Sequence, residues 1–256
     1  MKIRILGAHN IESKETGCAS IIIDGVLALD AGALTSRLSL KAQLRLEALL
    51  LTHRHFDHAK DIPTIGMNFS LVKKSLQIYT TRSIFDDVSH YLLDGTLYPD
   101  FTKQPPQNPA LKFNIIEPGR EFTAGRYKIT AFPVNHTVPC VGYQVTSTEG
   151  KKLFYTSDTG PGLAGIFRQM KPDLLIIELT SPDEHRDFAL NAGHLTPALL
   201  GEELESFRKL NGYLPRVVTL HTNPLHQPEI AGELEKVSRA LRHDIMMSKE
   251  GLGLDL

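Results

Sequence analysis

The chain contains the hexapeptide His53-Arg54-His55-Phe56-Asp57-His58 directly after an apolar run at residues 48–52. The apolar run predicts a buried strand that ends at the first histidine. Residues two apart in an extended segment project to one side, so His53 and His55 can bind the same metal ion. If the chain then turns, Asp57 and His58 can bind a second ion beside the first. Imidazole and carboxylate suit zinc, and also manganese or iron, while the absence of thiolates leaves coordination positions open for chemistry.

Further candidate ligands stand where other predicted strands end. They are His136 after residues 127–134, Asp158 after 153–156 and His221 after 216–220. A single histidine at a strand end is more often a hydrogen-bonded structural residue, but these residues in this order predict a metal centre at one edge of a sheet. His194 differs, because it stands in Gly193-His194-Leu195-Thr196 just before a predicted helix.

The composition is that of an ordinary globular protein. Of 256 residues, 41% are hydrophobic and 22% are charged, which predicts one domain over residues 1–256 with a substantial core. The net charge of −1 gives no global field that would attract nucleic acid or an anionic membrane. The two cysteines, Cys18 and Cys140, cannot form a disulfide framework and indicate a reducing compartment. With no signal peptide and no apolar stretch of membrane length, we expect a cytoplasmic protein without a membrane partner.

Strands dominate the first two thirds of the chain, and strands and helices alternate in the last third. Asp24-Gly25 is a hairpin signal between two of the strands. Predicted strands are 2–6, 19–23, 26–30, 48–52, 76–80, 112–116, 127–134, 141–147, 153–156, 174–179 and 216–220, and predicted helices are 38–47, 163–170, 197–210 and 228–241. Residues 94–110 are predicted to form a long internal loop. This order predicts an α+β fold of two packed sheets with helices outside.

The ligand pattern resembles that of the metallo-β-lactamase superfamily. The His-x-His-x-Asp-His run followed by His136, Asp158 and His221 is similar to that family's ligand set, and Leu29-Asp30-Ala31-Gly32 is similar to its acid–glycine turn. The resemblance covers the chain from residue 2 to the last strand and implies a four-layer αββα sandwich. It implies two divalent ions, Zn²⁺ foremost and Mn²⁺ or Fe²⁺ as alternatives. The implied ligands are His53, His55 and His136 for the first ion and Asp57, His58 and His221 for the second, with Asp158 bridging.

Two later segments resemble the phosphodiesterase branch of this superfamily: Ile177-Glu178-Leu179-Thr180 and Gly193-His194-Leu195-Thr196-Pro197. In that branch a histidine matching His194 contacts the phosphate and an acid near Glu178 supports it. Thr196 can cap the helix that begins at Pro197, which leaves His194 where anions bind well. Catalytic roles are therefore expected for His194, as proton donor to the leaving oxygen, for Glu178 as its support, and for Asp57 through the second ion.

The expected reaction is hydrolysis of a small cyclic phosphodiester, in first place a 3′,5′-cyclic nucleotide to the 5′-monophosphate. Residues 51–53, 133–136 and 193–197 are most similar to bacterial proteins of that group. Two bound metal ions would lower the pKa of water to about 7, so that hydroxide would be available at neutral pH for attack on phosphorus. A small-molecule partner is expected, structured nucleic acid is not, and the family resemblance makes a homodimer an open expectation.

Four alternatives remain at this point. A tRNA 3′-processing endonuclease of this branch often carries an arm between the residues matching His136 and Asp158, but only 22 positions separate them here. A cyclic ribose-phosphate phosphodiesterase usually carries an N-terminal cysteine cluster, where this chain has only Cys18. A lactone or thioester hydrolase on the same fold is opposed by the Glu178 and His194 segments. A non-enzymatic metal-binding scaffold would be expected to lack a ligand, and none is missing.

The remaining histidines and the aromatic residues show no pattern that indicates a specific function. We interpret His9 as a loop hydrogen-bonder, with lining of the site as the alternative. We interpret His90, His185, His226 and His243 as structural residues and Cys140 as a small core residue. Phe69, Tyr91, Tyr98 and Phe101 are candidates for stacking on a nucleobase or, equally, for packing.

Overall fold

Short runs of isoleucine, leucine and valine form two seven-stranded sheets in the computed structural model, which describes residues 1–256. The first sheet has the order β14-β1-β2-β3-β4-β5-β6 and the second β13-β12-β11-β10-β9-β8-β7. The strands are β1 Lys2–Gly7, β2 Ser20–Ile23, β3 Leu27–Leu29, β4 Ala48–Leu50, β5 Leu76–Thr80, β6 Leu111–Ile115, β7 Glu121–Ala124, β8 Tyr127–Pro133, β9 Val141–Thr146, β10 Lys152–Tyr155, β11 Leu174–Glu178, β12 Arg216–Leu220, β13 Ile245–Met247 and β14 Gly253–Asp255.

Both sheets are mixed in the same way. In the first, β14, β1, β2 and β3 pair antiparallel, whereas β3 to β6 pair parallel. In the second, β7 to β10 pair antiparallel and β10 to β13 pair parallel. Parallel neighbours place their carboxyl ends at one edge, so the loops after β10, β11 and β12 lie side by side.

The core lies between the sheets, with helices on both outer faces. Ile5 and Ile21 of the first sheet and Ile129 and Tyr143 of the second belong to one buried cluster. A second cluster packs helices against the outer face of the second sheet through residues such as Phe207. The helices are α1 Leu34–Arg37, α2 Leu40–Gln43, α3 Phe56–Ala59, α4 Ile62–Leu71, α5 Arg82–Tyr91, α6 Ala164–Phe167, α7 Arg186–Ala192, α8 Pro197–Asn211 and α9 Gln227–Leu241. The predicted αββα sandwich is confirmed.

Local details agree with the sequence in some places and differ in others. Asp24 and Gly25 form the predicted hairpin turn, with φ of 51° and 73°. Of the predicted helix over 38–47, only Leu40–Gln43 is helical. Leu38 is extended with ψ of 136°, and Ser39 accepts a hydrogen bond from the Ala42 amide, so a new short helix begins there. Helices α4 and α5 were not predicted. No helix has the length and apolar character needed to cross a membrane.

Candidate metal centre

The hexapeptide turns as its sequence predicts. Strand β4 ends at Leu50, and His55, with φ of −59° and ψ of 145°, is the N-cap of the single-turn helix α3. This turn separates His53 and His55 from Asp57 and His58. Gly32 permits the close packing behind the turn, because a Cβ at that position would lie 2.0 Å from the Asp57 carbonyl oxygen.

The first candidate ligand group contains His53, His55, His136 and Asp158, whose ligand atoms all lie within 4.8 Å of one another. His136 Nε2 is 3.2 Å from His55 Nδ1, and His53 Nε2 is 3.7 Å from Asp158 Oδ2. The strand ends of β4, β8 and β10 bring these residues together from distant parts of the sequence.

The second candidate group contains Asp57, His58, Asp158 and His221, again within 4.8 Å. His221 Nε2 is 3.1 Å from Asp57 Oδ2, and His58 Nε2 is 3.2 Å from Asp158 Oδ1. Asp158 is therefore common to both groups, which is the position that a bridging carboxylate requires. All seven ligands proposed from the sequence lie in these two groups.

Unpartnered polar atoms at this site show that the residues fit metal ions. Three of the six buried side-chain nitrogen and oxygen atoms that lack a hydrogen-bond partner are His53 Nε2, His58 Nε2 and Asp158 Oδ1. A buried polar atom without a partner costs free energy, so such atoms are rarely left unpaired. Divalent cations at this point would satisfy all three.

Hydrogen bonds fix the His53 tautomer that a metal needs. The Thr52 hydroxyl donates its single hydrogen to Asp30 Oδ2, at 2.8 Å, and accepts one from Ser157 at 2.7 Å. It lies 3.0 Å from His53 Nδ1, so it must accept the Nδ1–H of His53 there. The Nε2 lone pair of His53 is then free to bind an ion.

Three other candidate ligand histidines, His221, His58 and His136, are held in the same manner. The Thr180 hydroxyl donates to Glu178 Oε2 at 2.8 Å and accepts from His221 Nδ1 at 2.9 Å. His58 Nδ1 donates to Asp30 Oδ2 at 2.8 Å. His136 Nδ1 donates to the Gly193 carbonyl at 3.0 Å. These contacts orient ligating imidazoles and set their basicity.

Sequence reasoning gave no role to Thr52 and Thr180. Thr52 stands beside the ligand His53 and Thr180 two residues after Glu178, each just after a buried strand, which is the only signal that would have singled them out. Asp30 was noted only for its place in the acid–glycine turn. It is fully buried and also accepts hydrogen bonds from the Thr52 amide and the Tyr155 hydroxyl.

The protein groups around the site favour positive charge at its centre. Burial lowers the pKa of His58, but Asp158, Asp30 and Asp57 outweigh it and raise that pKa well above its usual value. Burial alone would raise the pKa of Asp57, yet His58 and the hydrogen bond from His221 hold it well below its ordinary range. Ionised carboxylates and histidine nitrogens directed at one point are the electrostatic requirement of a cation site.

His194 and Glu178 form a pair beside the two ligand groups. His194 Nδ1 lies 3.0 Å from Glu178 Oε1, which also accepts the Leu195 amide at 3.0 Å. The His194 ring centroid is 5.2 Å from that of His136 and 5.4 Å from that of His221. Burial lowers the pKa of His194, but the charge and hydrogen bond of Glu178 outweigh it and raise the pKa to about 9.

Helix α8 begins where the sequence predicts and helps to place this pair. The Thr196 side chain accepts a hydrogen bond from the Leu199 amide, and Pro197 is the first helical residue. Gly193 has φ of 70°, and a Cβ there would lie 3.0 Å from His136. The position therefore favours glycine both for its backbone conformation and for its contact with a ligand.

Two further residues hold the ligand loops. The Asn135 carbonyl accepts the Gly160 amide at 2.6 Å, and its side chain donates to the Pro161 carbonyl at 2.9 Å, which joins the loops of His136 and Asp158. Buried Glu203 of α8 accepts the amides of Gly162 and Leu163, at 2.7 and 3.1 Å. Sequence reasoning missed both residues.

The backbone is strained at the site. Asp30, Ser157 and His221 have φ of 57°, 58° and 68°, in the left-handed region that non-glycine residues rarely adopt. Such conformations cost on the order of 1–3 kcal/mol each and cluster at functional sites. Their position beside or within the ligand set agrees with that tendency.

The structure shows which of the other residues considered in the sequence analysis are buried and which are exposed. Phe69 and Phe101 are buried in the core and cannot stack on a ligand, whereas Tyr91 and Tyr98 are exposed. His9 is a loop hydrogen-bonder as expected, with Nδ1 2.7 Å from Glu250 Oε1. Cys140 is a buried free cysteine, as predicted.

Comparison with protein families gives a match over most of the chain. The model of the Beta-lactamase superfamily domain matches residues 20–222. Ribonuclease Z of Thermococcus kodakarensis is 28% identical over 159 residues, and the chain spans about half of that protein, 48% of its length. Ribonuclease Z of Archaeoglobus fulgidus is 20% identical over an alignment covering 96% of this chain and 94% of that protein.

Solved structures share the whole fold. The metallo-beta-lactamase fold protein YhfI of Bacillus subtilis has a TM-score of 0.79 at 19% identity, covering 99% of this chain and 98% of that one. Unliganded yeast PDE1 has a TM-score of 0.85 at 16% identity, covering 100% and 99%. At these identities the likeness shows the fold alone, and the metallo-β-lactamase fold predicted from the sequence is confirmed.

Proposed function

This chain belongs to the β-lactamase superfamily as a metal-dependent hydrolase, and from that premise we propose that it hydrolyses a small cyclic phosphodiester. A 3′,5′-cyclic nucleotide, opened to the 5′-monophosphate, is the substrate we favour. The observation that carries the proposal is the Glu178–His194 pair, which stands beside both ligand groups but is not needed to complete either.

The chain's own residues would hold two divalent ions and orient the phosphate between them and His194. His53, His55 and His136 would hold one ion, Asp57, His58 and His221 the other, and Asp158 would be shared. When bound, the two ions supply water of lowered pKa and neutralise charge on the phosphodiester. The outer contacts from Asp30, Thr52 and Thr180 keep the ligand nitrogens fixed.

His194 is suited to deliver a proton to the departing oxygen. Glu178 engages Nδ1 and leaves Nε2 without a protein partner. The same carboxylate favours the protonated ring. An alkoxide such as O3′ of a ribose is a poor leaving group, so a proton donated from Nε2 as the P–O bond breaks would lower the barrier.

A cavity next to the metal centre supports a nucleotide-sized substrate. Its volume is about 920 Å³, and its lining residues include His136 itself. Ile115, Pro118 and Val138 supply an apolar part, and Thr81 and Ser83 at the start of α5 supply hydroxyl groups. Charged residues Arg82, Asp86 and Glu117 also line the cavity, and His136 is the one candidate metal ligand that borders it.

A tRNA 3′-processing endonuclease is the second candidate, because the relatives cited above are ribonucleases Z. The connection from His136 to Asp158 opposes it. That connection contains only strands β9 and β10 and a short turn near Gly150. With a net charge of −1, the chain also lacks an overall positive field for a large polyanion.

A hydrolysis screen of metal-replete protein tests the proposal. The substrates are cAMP, cGMP, 2′,3′-cyclic nucleotides, cyclic ribose phosphate, a thioester and a precursor tRNA, and the products are identified by chromatography. We expect cyclic nucleotides to be opened to 5′-monophosphates, with His90→Ala, an exposed histidine away from the site, as the active control. Efficient 3′ cleavage of the precursor tRNA, or turnover of the thioester alone, would overturn it.

A further inference from the structure

A further cluster of metal-ligating side chains lies away from the metal centre and from Glu178, His194 and His221, whose ligand atoms also lie within 4.8 Å of one another. It consists of Glu184, His185 and His226, whose ligand atoms all lie within 4.8 Å of one another. No pattern in the sequence groups His185 with His226, both of which the sequence analysis interprets as structural residues. The cluster is partly open to solvent: the His185 side chain is 43% exposed and that of Glu184 is 67% exposed.

The two histidines repeat the mutual arrangement seen at the metal centre. Their ring centroids are 4.9 Å apart with an interplanar angle of 86°. The three histidines of the first ligand group have pairwise centroid distances of 4.8, 5.1 and 5.0 Å and angles of 77° to 79°. The His185–His226 pair therefore has the ring spacing and steep angle found among the histidines of the first group, whereas His58 and His221 of the second group are inclined at 36°.

The fold holds both histidines on short, fixed turns. His185 ends a 3-10 turn, Asp183–His185, and His226 ends another, Pro224–His226. These turns follow β11 and β12, which are neighbouring parallel strands. The Asp183 side chain accepts the Ala198 amide at 2.8 Å, and the Asp183 amide donates to Glu233 at 2.8 Å.

The second turn is equally well anchored. The Asn223 amide donates to the Thr180 carbonyl at 3.1 Å, and the Asn223 side chain accepts the Leu225 amide at 3.0 Å. Little rearrangement is then needed to bring a ligand set together, which lowers the cost of binding.

Neither imidazole is engaged elsewhere. The only polar side-chain contact of the pair is His185 Nε2 to Glu184 Oε1, at 3.9 Å, which is too long for a hydrogen bond. By contrast, His9 bonds to Glu250 and Gln227, and His243 to the Pro215 carbonyl. The nitrogens of His185 and His226 are free to bind an ion.

We propose that Glu184, His185 and His226 form a third metal site, which takes one transition-metal ion of the zinc class. Two imidazoles and a carboxylate prefer Zn²⁺, Ni²⁺ or Cu²⁺ to Mg²⁺ and Ca²⁺. Water completes the coordination, and because the ligands are exposed the site binds more weakly than the buried centre. The ion joins the segment that follows Glu178 and Thr180 to the segment that follows His221.

Zinc binding by the untagged, full-length protein tests this proposal. Protein is dialysed against a series of buffered free zinc concentrations, and zinc per chain is measured by elemental analysis. We expect two tight equivalents and a third that appears at higher free zinc. His185→Ala and His226→Ala should each bind no more than two zinc equivalents per chain, whereas the control His90→Ala should bind three.

Thermal melting supplies an independent readout on the same samples. Zinc in the concentration range of the third equivalent should raise the Tm of the wild type and of His90→Ala, but not that of His185→Ala or His226→Ala. Mg²⁺ at the same concentration should give no rise. The two tight equivalents retained in each variant show that it is folded. A wild type that stays at two equivalents, or a double variant that reaches three, would overturn the proposal, and neither result bears on the substrate.

Discussion

Glu178 connects two histidines, His194 and His221, for which different roles are proposed. One carboxylate oxygen contacts His194 Nδ1, and the other accepts the hydroxyl of Thr180, which in turn contacts His221 Nδ1. Glu178 is only 1% exposed, so water does not compete for these bonds. A single buried carboxylate thus orients the histidine assigned to the leaving group and a histidine assigned to the second ion.

Replacing His194 should separate catalysis from metal binding. His194→Ala should keep two ions per chain while turnover of a cyclic nucleotide falls by about 10²–10⁴-fold, the usual effect of a positioned proton donor. The loss should be smaller for a nitrophenyl phosphodiester, because nitrophenolate leaves without a proton. Steady-state kinetics on both substrates and elemental analysis make the comparison. Equal losses would mean that His194 positions phosphate, and a missing ion would make it a ligand.

The Thr180 hydroxyl should matter for the second ion. Thr180→Val removes the acceptor of the His221 Nδ1–H and should weaken binding of that ion by about 10–100-fold, as loss of such an outer contact typically does. Thr180→Ser restores a hydroxyl and should recover most of the affinity. Competition with a chelator of known affinity measures both variants. If Thr180→Val holds its metal as tightly as the wild type, the hydroxyl does not set the tautomer of His221.

At the scale of elements, a buried tyrosine ties the two sheets together. The Tyr127 hydroxyl at the start of β8 donates to Asp24 Oδ2, at 2.6 Å, in the turn between β2 and β3. Burial and this hydrogen bond raise the pKa of Tyr127 to about 12. Burial raises the pKa of Asp24, but hydrogen bonds from Tyr127 and Lys2 outweigh it and hold that pKa below its usual value.

Tyr127→Phe should lower the free energy of unfolding by about 1.5–3 kcal/mol at neutral pH, as expected for a hydrogen bond to a charged group. The contribution of Tyr127 is fully present below its unfolded pKa of about 10 and is lost as pH rises through the folded value. The contribution of Asp24 to stability is present above its unfolded pKa of about 3.9 and is lost as pH falls through the lower folded value. Urea unfolding measured from pH 3 to 11 gives the free energy of unfolding of each protein. The difference between wild type and variant should therefore become smaller toward pH 3 and toward pH 11. A difference that stays constant across this range would contradict the assignment.

The sequence predicts elements well where the pattern is local. Strands β4, β10 and β12 end within three residues of His53, Asp158 and His221, so the position of these ligands just after strands was predictable. The prediction of one helix over residues 38–47 did not hold over its full length. The leucine spacing suits one helix, whereas Ser39 starts a new, short one. The partnership of His185 with His226 depends on the parallel pairing of β11 with β12, and no neighbouring residue in the sequence indicates it.

For the whole molecule, we expect two tightly bound divalent ions per chain. Protein purified without chelator should approach two equivalents by elemental analysis, measured at low free metal. Asp57→Ala should lose the second ion and activity, because it removes the only carboxylate of that group besides the shared Asp158. Removal of the ions by a chelator should lower the Tm, since the ions bind the native state and not the unfolded chain. One equivalent or none in metal-replete wild type would count against a bridging Asp158.

The ligand residues also fix the moment at which a newly made chain can be loaded with metal. The hexapeptide emerges from the ribosome early, but Asp57 and its partner His221 are 164 positions apart in the sequence. His221 is correctly placed only when β12 has paired with β11, after most of the chain has been synthesised. A nascent chain or a fragment that ends before β12 therefore lacks His221 and offers an incomplete second ligand group, so binding of both ions would mark molecules in which β12 has been made and paired.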